Sequence, residues 1–588
     1  MSIGTQRKCA PRRSPFRFVP KQTAVLAVVA AMALAGGAFI SKVSANDDDR
    51  SNRFQFQPDS LVLSRSVYVG TAATVTIGET LPLGCVGGPN GTSNVSVPTT
   101  TPGTSVEIAV PCGIASDNGE FPNLFDAHNV WNNSGSDGSF GITSPIFLDN
   151  LSTDGRLLST LPIPSDQIVT SFSSKSELAL NRSIDGKSIT FMAYHGGPGC
   201  GGFPVAPTAP NLLDVSASNT PGVCDLTNPV ITTFQSTPVV PAAYFRAVAE
   251  VDSDGRLNVT DGNAYSGDNG RAAIKGANDL YYMVGNDNSG NLSKKQLTTT
   301  PSGIDLINAT GAELLVPGGT PPVPPNIGMI GRLEFGTDKP GKDTNFRGLT
   351  IFNNTLYISK GSGGNGINTV YQVGSVGTLP TGTAAQLAGV PITILPGFPN
   401  TAASTSTAFP FGLFFANATT LYVCDEGDGT LVTPPVNGNV ADAQSLATAG
   451  LQKWSLVNGT WTMLYVLQDG LNIGVPYNVA NYPAALDPAT GGCRNIAGRV
   501  NHDGTVTIYA ITSTISANGD TGADPNKLVK VTDRLSATTL PTGDGDNDRD
   551  DRLGHFAIIR SAKAGEVFRG VAFAPSSDHD DDHGGDNH

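Results

Sequence analysis

One pattern recurs along the chain: a short apolar stretch, a polar turn, and a second apolar stretch that often carries a tyrosine. It appears as "SELALNRSIDGKSITFMAY" from Ser176, "GRAAIKGANDLYYMVG" from Gly270, "FRGLTIFNNTLYISK" from Phe346, "FPFGLFFANATTLYVCD" from Phe409 and "CRNIAGRVNHDGTVTIYAITS" from Cys493. Alternation with a period near two, broken by turn residues, predicts antiparallel β-hairpins. Most copies are followed by a further strand pair, as in "YFRAVAEVDSDGRLNV" from Tyr244, "NTVYQVG" then "PITILPG" from Asn368, and "GLQKWSLVNGTWTMLYVLQ" from Gly450. The predicted unit is therefore a four-stranded antiparallel sheet, with strands A to D in chain order.

The ends of the chain complete the pattern. "FRGVAFAP", which ends at Pro575, copies the first strand of the unit, but only an acidic tail follows it. The strands it lacks stand at the other end: "DSLVLSRSVYVG" from Asp59 reads as a B strand, and "SPIFLDNLSTDGRLLSTLPIP" from Ser144 as a C–D pair. Joining the two ends closes a ring of such sheets, an all-β architecture that leaves few exposed sheet edges: a β-propeller. Six blades are expected, or seven if an insertion around Thr310 to Leu333 hides one. Small residues early in the A strands, Gly348, Gly412, Gly570, Ala272 and Ala273, suit the crowded taper beside the axis.

Composition agrees with short strands and many turns: 69 of the 588 residues are Gly and 41 are Pro. Residues 1–45 differ from the rest. Six basic residues from Arg7 to Lys21 precede the apolar run "TAVLAVVAAMALAGGAFI", and "VSA" at Val43 to Ala45 fits a small-residue cleavage site, so a signal peptide is expected, with a retained anchor as the competing reading. Arg12 and Arg13 leave both general and twin-arginine export open. An acidic linker at 46–58, one propeller domain at 59–575 and a disordered acidic tail at 576–588 complete the expected organisation. Loss of residues 1–45 removes seven basic residues and no acid, which takes the formal net charge from −14 to −21. Such a surface excludes nucleic acid as a partner, and no membrane span is expected after cleavage.

Cleavage would also remove Cys9. Cys85, Cys112, Cys200, Cys224, Cys424 and Cys493 remain, an even set with no CxxC spacing, which in an exported protein points to disulfides rather than zinc. The pairing nearest in sequence is Cys85 with Cys112, Cys200 with Cys224 and Cys424 with Cys493; six cysteines permit fifteen connectivities.

The stretches "PFGLFFANATTLYVCDEGDG", "LQKWSLVNGTWTMLY", "VTIYAITS…NKLVKVTD" and the terminal "FRGVAFAP" resemble a group of uncharacterised exported bacterial propeller proteins. The resemblance spans about Asp59 to Pro575; it implies an extracytoplasmic protein and no particular reaction. More loosely, the hairpins are similar to those of NHL and SMP-30-like six-bladed propellers, some of which are calcium-dependent lactonases or esterases.

In an antiparallel A–B hairpin the start of A and the end of B lie at one edge of the blade, so their polar residues gather around one mouth of the channel. The A-strand starts supply Glu177, Arg271, Arg347, Arg494 and Arg569; the B-strand ends supply Arg65, His195, Asn286, Lys360, Asp425 and Glu426. Converging guanidinium groups suit a small anionic ligand, whereas a ring of Arg–carboxylate pairs would only satisfy buried charge. The candidate ligand-binding set is Glu177, Arg271, Arg347, Asp425, Arg494 and Arg569. By resemblance to SMP-30-like enzymes, Glu177, Asn286 and Asp425 stand where such proteins place metal ligands, although the arginines depart from that pattern.

Three other motifs carry candidate chemistry. Asp544, Asp546 and Asp548 alternate as in a calcium loop, but Arg549 replaces the required glycine and His555 the final glutamate. "HGGPG" at His195 resembles an oxyanion-hole motif, yet no G-x-S-x-G elbow accompanies it, so a glycine-rich loop is expected. His579, His583 and His588 in the tail could bind transition metals weakly. The expected function is therefore binding or structural, through a small anionic molecule or a protein partner in a secreted or periplasmic setting. A calcium- or zinc-dependent lactonase or esterase is the alternative.

Overall fold

A computed structural model of the chain describes residues 54–67, 143–172, 177–195, 246–286, 304–308, 345–541 and 552–576 with short interruptions, together with short strand segments between 80 and 130 and at 328–329. Among the described residues six sheets form the blades, five of them four-stranded and one, blade 2, six-stranded because its inner strand is divided and a further short strand joins its edge; four two-stranded sheets stand outside the blades. Blade 1 takes its inner strand from the C-terminus and the rest from the N-terminal region: Glu566–Phe573, Leu61–Val67, Ile146–Leu151 and Leu157–Pro162. The pairing of Leu61 with Phe573 and Val67 with Glu566 closes the ring, as the sequence implied. Blades 3 to 6 follow in order, with inner strands Gly270–Lys275, Leu349–Phe352, Pro410–Asn417 and Ala489–Val500. Each inner strand touches the next around the ring, including that of blade 6 against blade 1.

Position within a blade explains the hydrophobic pattern. Second strands lie between neighbouring blades, and Thr355–Lys360, Thr420–Asp425 and Thr505–Ile515 are buried along their whole length. An outer strand such as Thr460–Leu467 alternates between exposed and buried positions, because one of its faces meets water. Tight hairpins form where the sequence can take positive φ: Asn353 and Asn354 at 46° and 54°, and Asn458 and Gly459 at 51° and 79°. Hydrophobic clusters fill every junction between blades. Leu61, Leu63, Tyr509 and Phe568 pack blade 6 against blade 1, and Tyr357, Phe398, Trp454 and Trp461 pack blade 4 against blade 5.

The expected taper is a matter of direct backbone contact. A Cβ on Gly348 would lie 2.1 Å from the carbonyl oxygen of Phe411; one on Gly412 would lie 2.4 Å from that of Arg494; one on Gly570 would lie 2.4 Å from the amide nitrogen of Leu180. Each glycine thus lets one inner strand lie against the next blade.

Two features differ from the expected outline. Blade 2 has a divided inner strand: Asn181–Arg182 pairs with the start of Ser188–His195, while Ile168–Ser171 pairs with its end. Leu178, at φ 66°, lies between the two pieces. In addition, the packed chain extends past both expected boundaries of the domain. Phe56 is buried and donates its N–H to Ser253 O at 2.9 Å, and Ser576 donates its N–H to Gly186 O at 2.9 Å.

Candidate functional site at the channel mouth

The four arginines owe their position to a shared irregularity of the inner strands. In blade 3, Gly270 pairs with Gly285 and Ala272 with Val284, so Arg271 is the extra residue of a β-bulge. In blade 1, Ser64 pairs with Gly570 and Arg65 with Phe568, which leaves Arg569 as the extra residue. In blade 6 the register slips between Cys493 and Ile496, where Arg494 and Asn495 stand. In blade 4, Ser359 accepts the N–H of Arg347 at 2.8 Å and donates its own to Gly348 O at 2.9 Å, so two residues again face one. A bulge bends the strand and re-aims a side chain that the regular pleat would send into a blade face. The four arginines thus occupy the corresponding bulge position of their inner strands, each 4–7% exposed.

Three of them face a carboxylate of a neighbouring blade. Glu426, directly after the second strand of blade 5, lies between Arg494 of blade 6, whose Nε donates at 2.9 Å, and Arg347 of blade 4, whose Nε is 3.9 Å away. Arg569 of blade 1 donates to the carbonyl oxygen of Phe172, and its charge favours ionisation of Glu177 in blade 2. Asn495 stands beside Arg494: its Oδ1 accepts the N–H of Val571 at 2.7 Å, and its Nδ2 donates to Leu180 O at 3.3 Å, which links the inner strands of blades 6, 1 and 2.

The carboxylates of the expected ligand set are committed within their own blades. Glu177 accepts hydrogen bonds from Tyr194 OH, from Thr170 Oγ1 at 3.1 Å and from the N–H of Ser171. Its burial raises its pKa in spite of them. Asp425 accepts the backbone N–H groups of Phe409 and Gly427, both at 2.9 Å, and Gln452 Nε2 at 3.0 Å. Burial pushes it up to about 7 against those donors. Of the other strand-end residues, Lys360 is fully buried and donates to Asn368 Oδ1 at 3.2 Å. Arg65 lies inside blade 1, between Asp149 at 2.9 Å and Glu566 at 3.0 Å. Asn286 bridges to Asn345, and His195 pairs through its backbone with Ile168.

The disulfide expected between Cys424 and Cys493 is present, with a Cα–Cα distance of 5.3 Å, and ties blade 5 to blade 6 beside the Glu426–Arg494 pair. Cys85, Cys112, Cys200 and Cys224 lie outside the described residues, as do Asp544, Asp546, Asp548, the glycines of HGGPG and the tail histidines. Among the described residues no group of three or more His, Cys, Asp or Glu side chains is arranged to hold a metal ion.

Sequence reasoning missed two polar knots between blades. Asp533 of blade 6 accepts Lys453 Nζ at 3.0 Å, Tyr422 OH at 2.6 Å and Tyr465 OH at 2.8 Å, all from blade 5. Glu250 of blade 2 accepts Lys275 Nζ at 2.8 Å and Tyr281 OH at 2.5 Å from blade 3, and Ser188 Oγ at 2.7 Å. Part of the signal was legible: Lys453 and Glu250 are charges in mid-strand, and Tyr281 and Tyr422 are among the tyrosines that recur in second strands.

Comparisons with solved structures find distant likenesses. The chain is similar to a glucose dehydrogenase at 12% identity, over 63% of this chain and 89% of that one, with a TM-score of 0.29. It is similar to a mutant of the apocarotenoid oxygenase of Synechocystis at 9% identity, over 89% and 98%, with a TM-score of 0.32. A third likeness is to the PQQ-bound aldose sugar dehydrogenase of Streptomyces coelicolor, at 11% identity over 67% and 93%, with a TM-score of 0.27. No family model and no curated protein matches the chain.

Proposed function

We propose that this chain is an exported β-propeller that acts by binding, with a small anionic ligand or a protein partner engaged at the arginine-lined mouth. The observation that carries the reading is the recurrence of arginine at the bulge in four inner strands. Guanidinium groups at corresponding strand positions, in a site of low exposure, favour carboxylate, phosphate or sulfate through paired hydrogen bonds. Glu426 holds two of these arginines in place, so the same ion pairs that brace the blades also orient the donors. The buried Cys424–Cys493 disulfide supports an oxidising, secreted or periplasmic setting.

The alternative, a calcium- or zinc-dependent lactonase or esterase of the SMP-30 type, would need Glu177, Asn286 and Asp425 to offer oxygens to one ion. Glu177 and Asp425 are each held by donors of their own blade, and this favours binding over hydrolysis.

The test is thermal melting with a panel of carboxylates, phosphates and sugar acids, and separately with calcium and zinc. Binding at the mouth predicts that an anion raises the Tm and that Arg347→Lys weakens the shift, because the planar fork is lost. Equal Tm values with and without every anion would leave the ring a structural brace. A metal-induced shift abolished by Glu177→Ala or Asp425→Ala would favour the hydrolase.

A further inference from the structure

Three lysines packed between strands each put the ammonium against oxygen. Lys453 Nζ donates to Tyr465 OH, Arg534 O and Ala537 O beside Asp533, Lys275 meets Glu250, and Lys360 meets Asn368. Lys527 is different. It opens the third strand of blade 6, Lys527–Arg534, and is 8% exposed, yet its Nζ faces the ring of Tyr477, 3.3 Å from the centre, and no oxygen of the described residues accepts a hydrogen bond from it. That ring is fixed from two sides: Tyr477 OH donates to Pro525 O at 2.8 Å, and its N–H donates to Pro488 O at 2.9 Å. Val479, Tyr482 and Ala564 form an apolar cluster with it.

The titratable groups on the surrounding elements have other partners. Asp524 accepts Tyr482 OH at 2.9 Å, and Arg560, on the adjoining strand Ala557–Ser561, lies 3.9 Å from Asp149. Tyr509, on the second strand, stands opposite Lys530. Neither these nor Asp487, in the loop that carries Tyr477, pairs with Lys527. An ammonium taken out of water against a ring face loses more hydration than the ring returns, so burial lowers the pKa of Lys527 to about 8. At pH 7 about one amine in ten is then unprotonated, against fewer than about one in a thousand for an ordinary lysine. The strand starts on the mouth side: the N–H of Lys527 is donated to Thr512 Oγ1 at 3.0 Å, and Thr512 pairs with Cys493 of the inner strand. Two strand spacings of about 4.8 Å place Lys527 roughly 10 Å outward from that inner strand.

We propose that Lys527 is a nucleophilic amine that captures small aldehydes as imines. The Nζ lone pair attacks the carbonyl carbon, the C=O π pair moves to oxygen, and a proton passes from nitrogen to that oxygen to give a carbinolamine; departure of water with the second N–H proton leaves the C=N bond. The aldehyde is the only co-reactant, and nothing is oxidised or reduced. A side chain this closely covered admits small carbonyl compounds and excludes macromolecules.

Reductive methylation of the folded chain with formaldehyde and cyanoborohydride, followed by peptide mapping, reads each lysine separately. At pH 7 Lys527 is expected to react at least about tenfold faster than the exposed Lys563, with a rate that levels off above about pH 8. Tyr477→Ala returns water to the amine and should slow Lys527 at pH 7, the opposite of what greater access alone would do. The pH profile is read on the unaltered chain, so the test stands even if that variant does not fold, and it needs no anion, so it holds or fails independently of the mouth site. Labelling of Lys527 no faster than that of Lys563, a rate that keeps rising to about pH 10 as for an ordinary lysine, or faster labelling in folded Tyr477→Ala would overturn the proposal.

Discussion

Glu426 shows how much depends on a single side chain at the mouth. It neutralises arginines from the blades on either side, and all three groups are under 10% exposed. Removing one partner of a buried ion pair strands the other charge, at a cost of about 3–5 kcal/mol. Glu426→Gln is therefore expected to lower unfolding free energy by about that amount in urea titration, whereas removal of the exposed Asp59 carboxylate should change it by less than about 1 kcal/mol. Asp425 makes a different prediction. Its folded pKa of about 7 lies above the usual unfolded value near 4, so the folded state holds the extra proton between those limits. The contribution of this one group to stability should then be greatest below pH 4, fall by up to about 4 kcal/mol as pH rises to 7, and level off above. Asp425→Asn should flatten that part of the pH profile in denaturant titrations. From sequence, the strand position of these residues was legible because the repeat fixes where strands start and end. Their partners were not: Glu426 reaches arginines 79 positions before and 68 after it, and nothing local encodes which carboxylate meets which guanidinium.

At the scale of the strand, the bulge is what makes an inner-strand arginine useful. The residue after it is small for the opposite reason: Gly348 and Gly570 follow Arg347 and Arg569 and press on the next blade. Gly348→Ala and Gly570→Ala should each cost about 1–3 kcal/mol, since the new methyl group meets backbone that cannot step aside. Thermal melting with replicate variants at each glycine checks this. The small residues could be read from the sequence, but the bulge could not, because strand period alone does not show where one residue is extra. The divided inner strand of blade 2 escaped notice for the same reason: "SELALNRS" alternates like its sister strands, yet Leu178 breaks the run with a positive φ. The disulfide joins positions 69 apart, and a loop of that length implies about 4 kcal/mol of stabilisation from lost unfolded-state entropy. Cys424→Ser with Cys493→Ser should lower unfolding free energy by up to that amount, and non-reducing peptide mapping should recover the two cysteines linked.

Across the whole molecule, the six sheets have neither order nor closure unless the last strand returns to the first. Closure could be read from sequence because the C-terminal stretch is a first strand without its companions, and the N-terminal stretches are companions without a first strand. The outer boundaries were harder, since residues 54–58 and Ser576 lack the strand pattern and are held by single backbone hydrogen bonds and by packing of Phe56. The mouth depends on the ring, for Arg569 belongs to the closing strand itself. That strand buries Val567, Phe568, Val571 and Ala572 and completes the ladder with Leu61–Val67. Each large apolar side chain among them contributes about 1.5–3 kcal/mol, and their joint loss is comparable with the stability of a domain. Deletion of Phe568 to Pro575 is thus the most direct test, read by thermal melting and limited proteolysis beside a chain ending at Ser576. The closed ring predicts that the deletion abolishes the cooperative melt and exposes the N-terminal strand to protease, while the chain ending at Ser576 melts within a few degrees of the full chain. A monomeric protein of undiminished stability lacking Phe568 to Pro575 would contradict it.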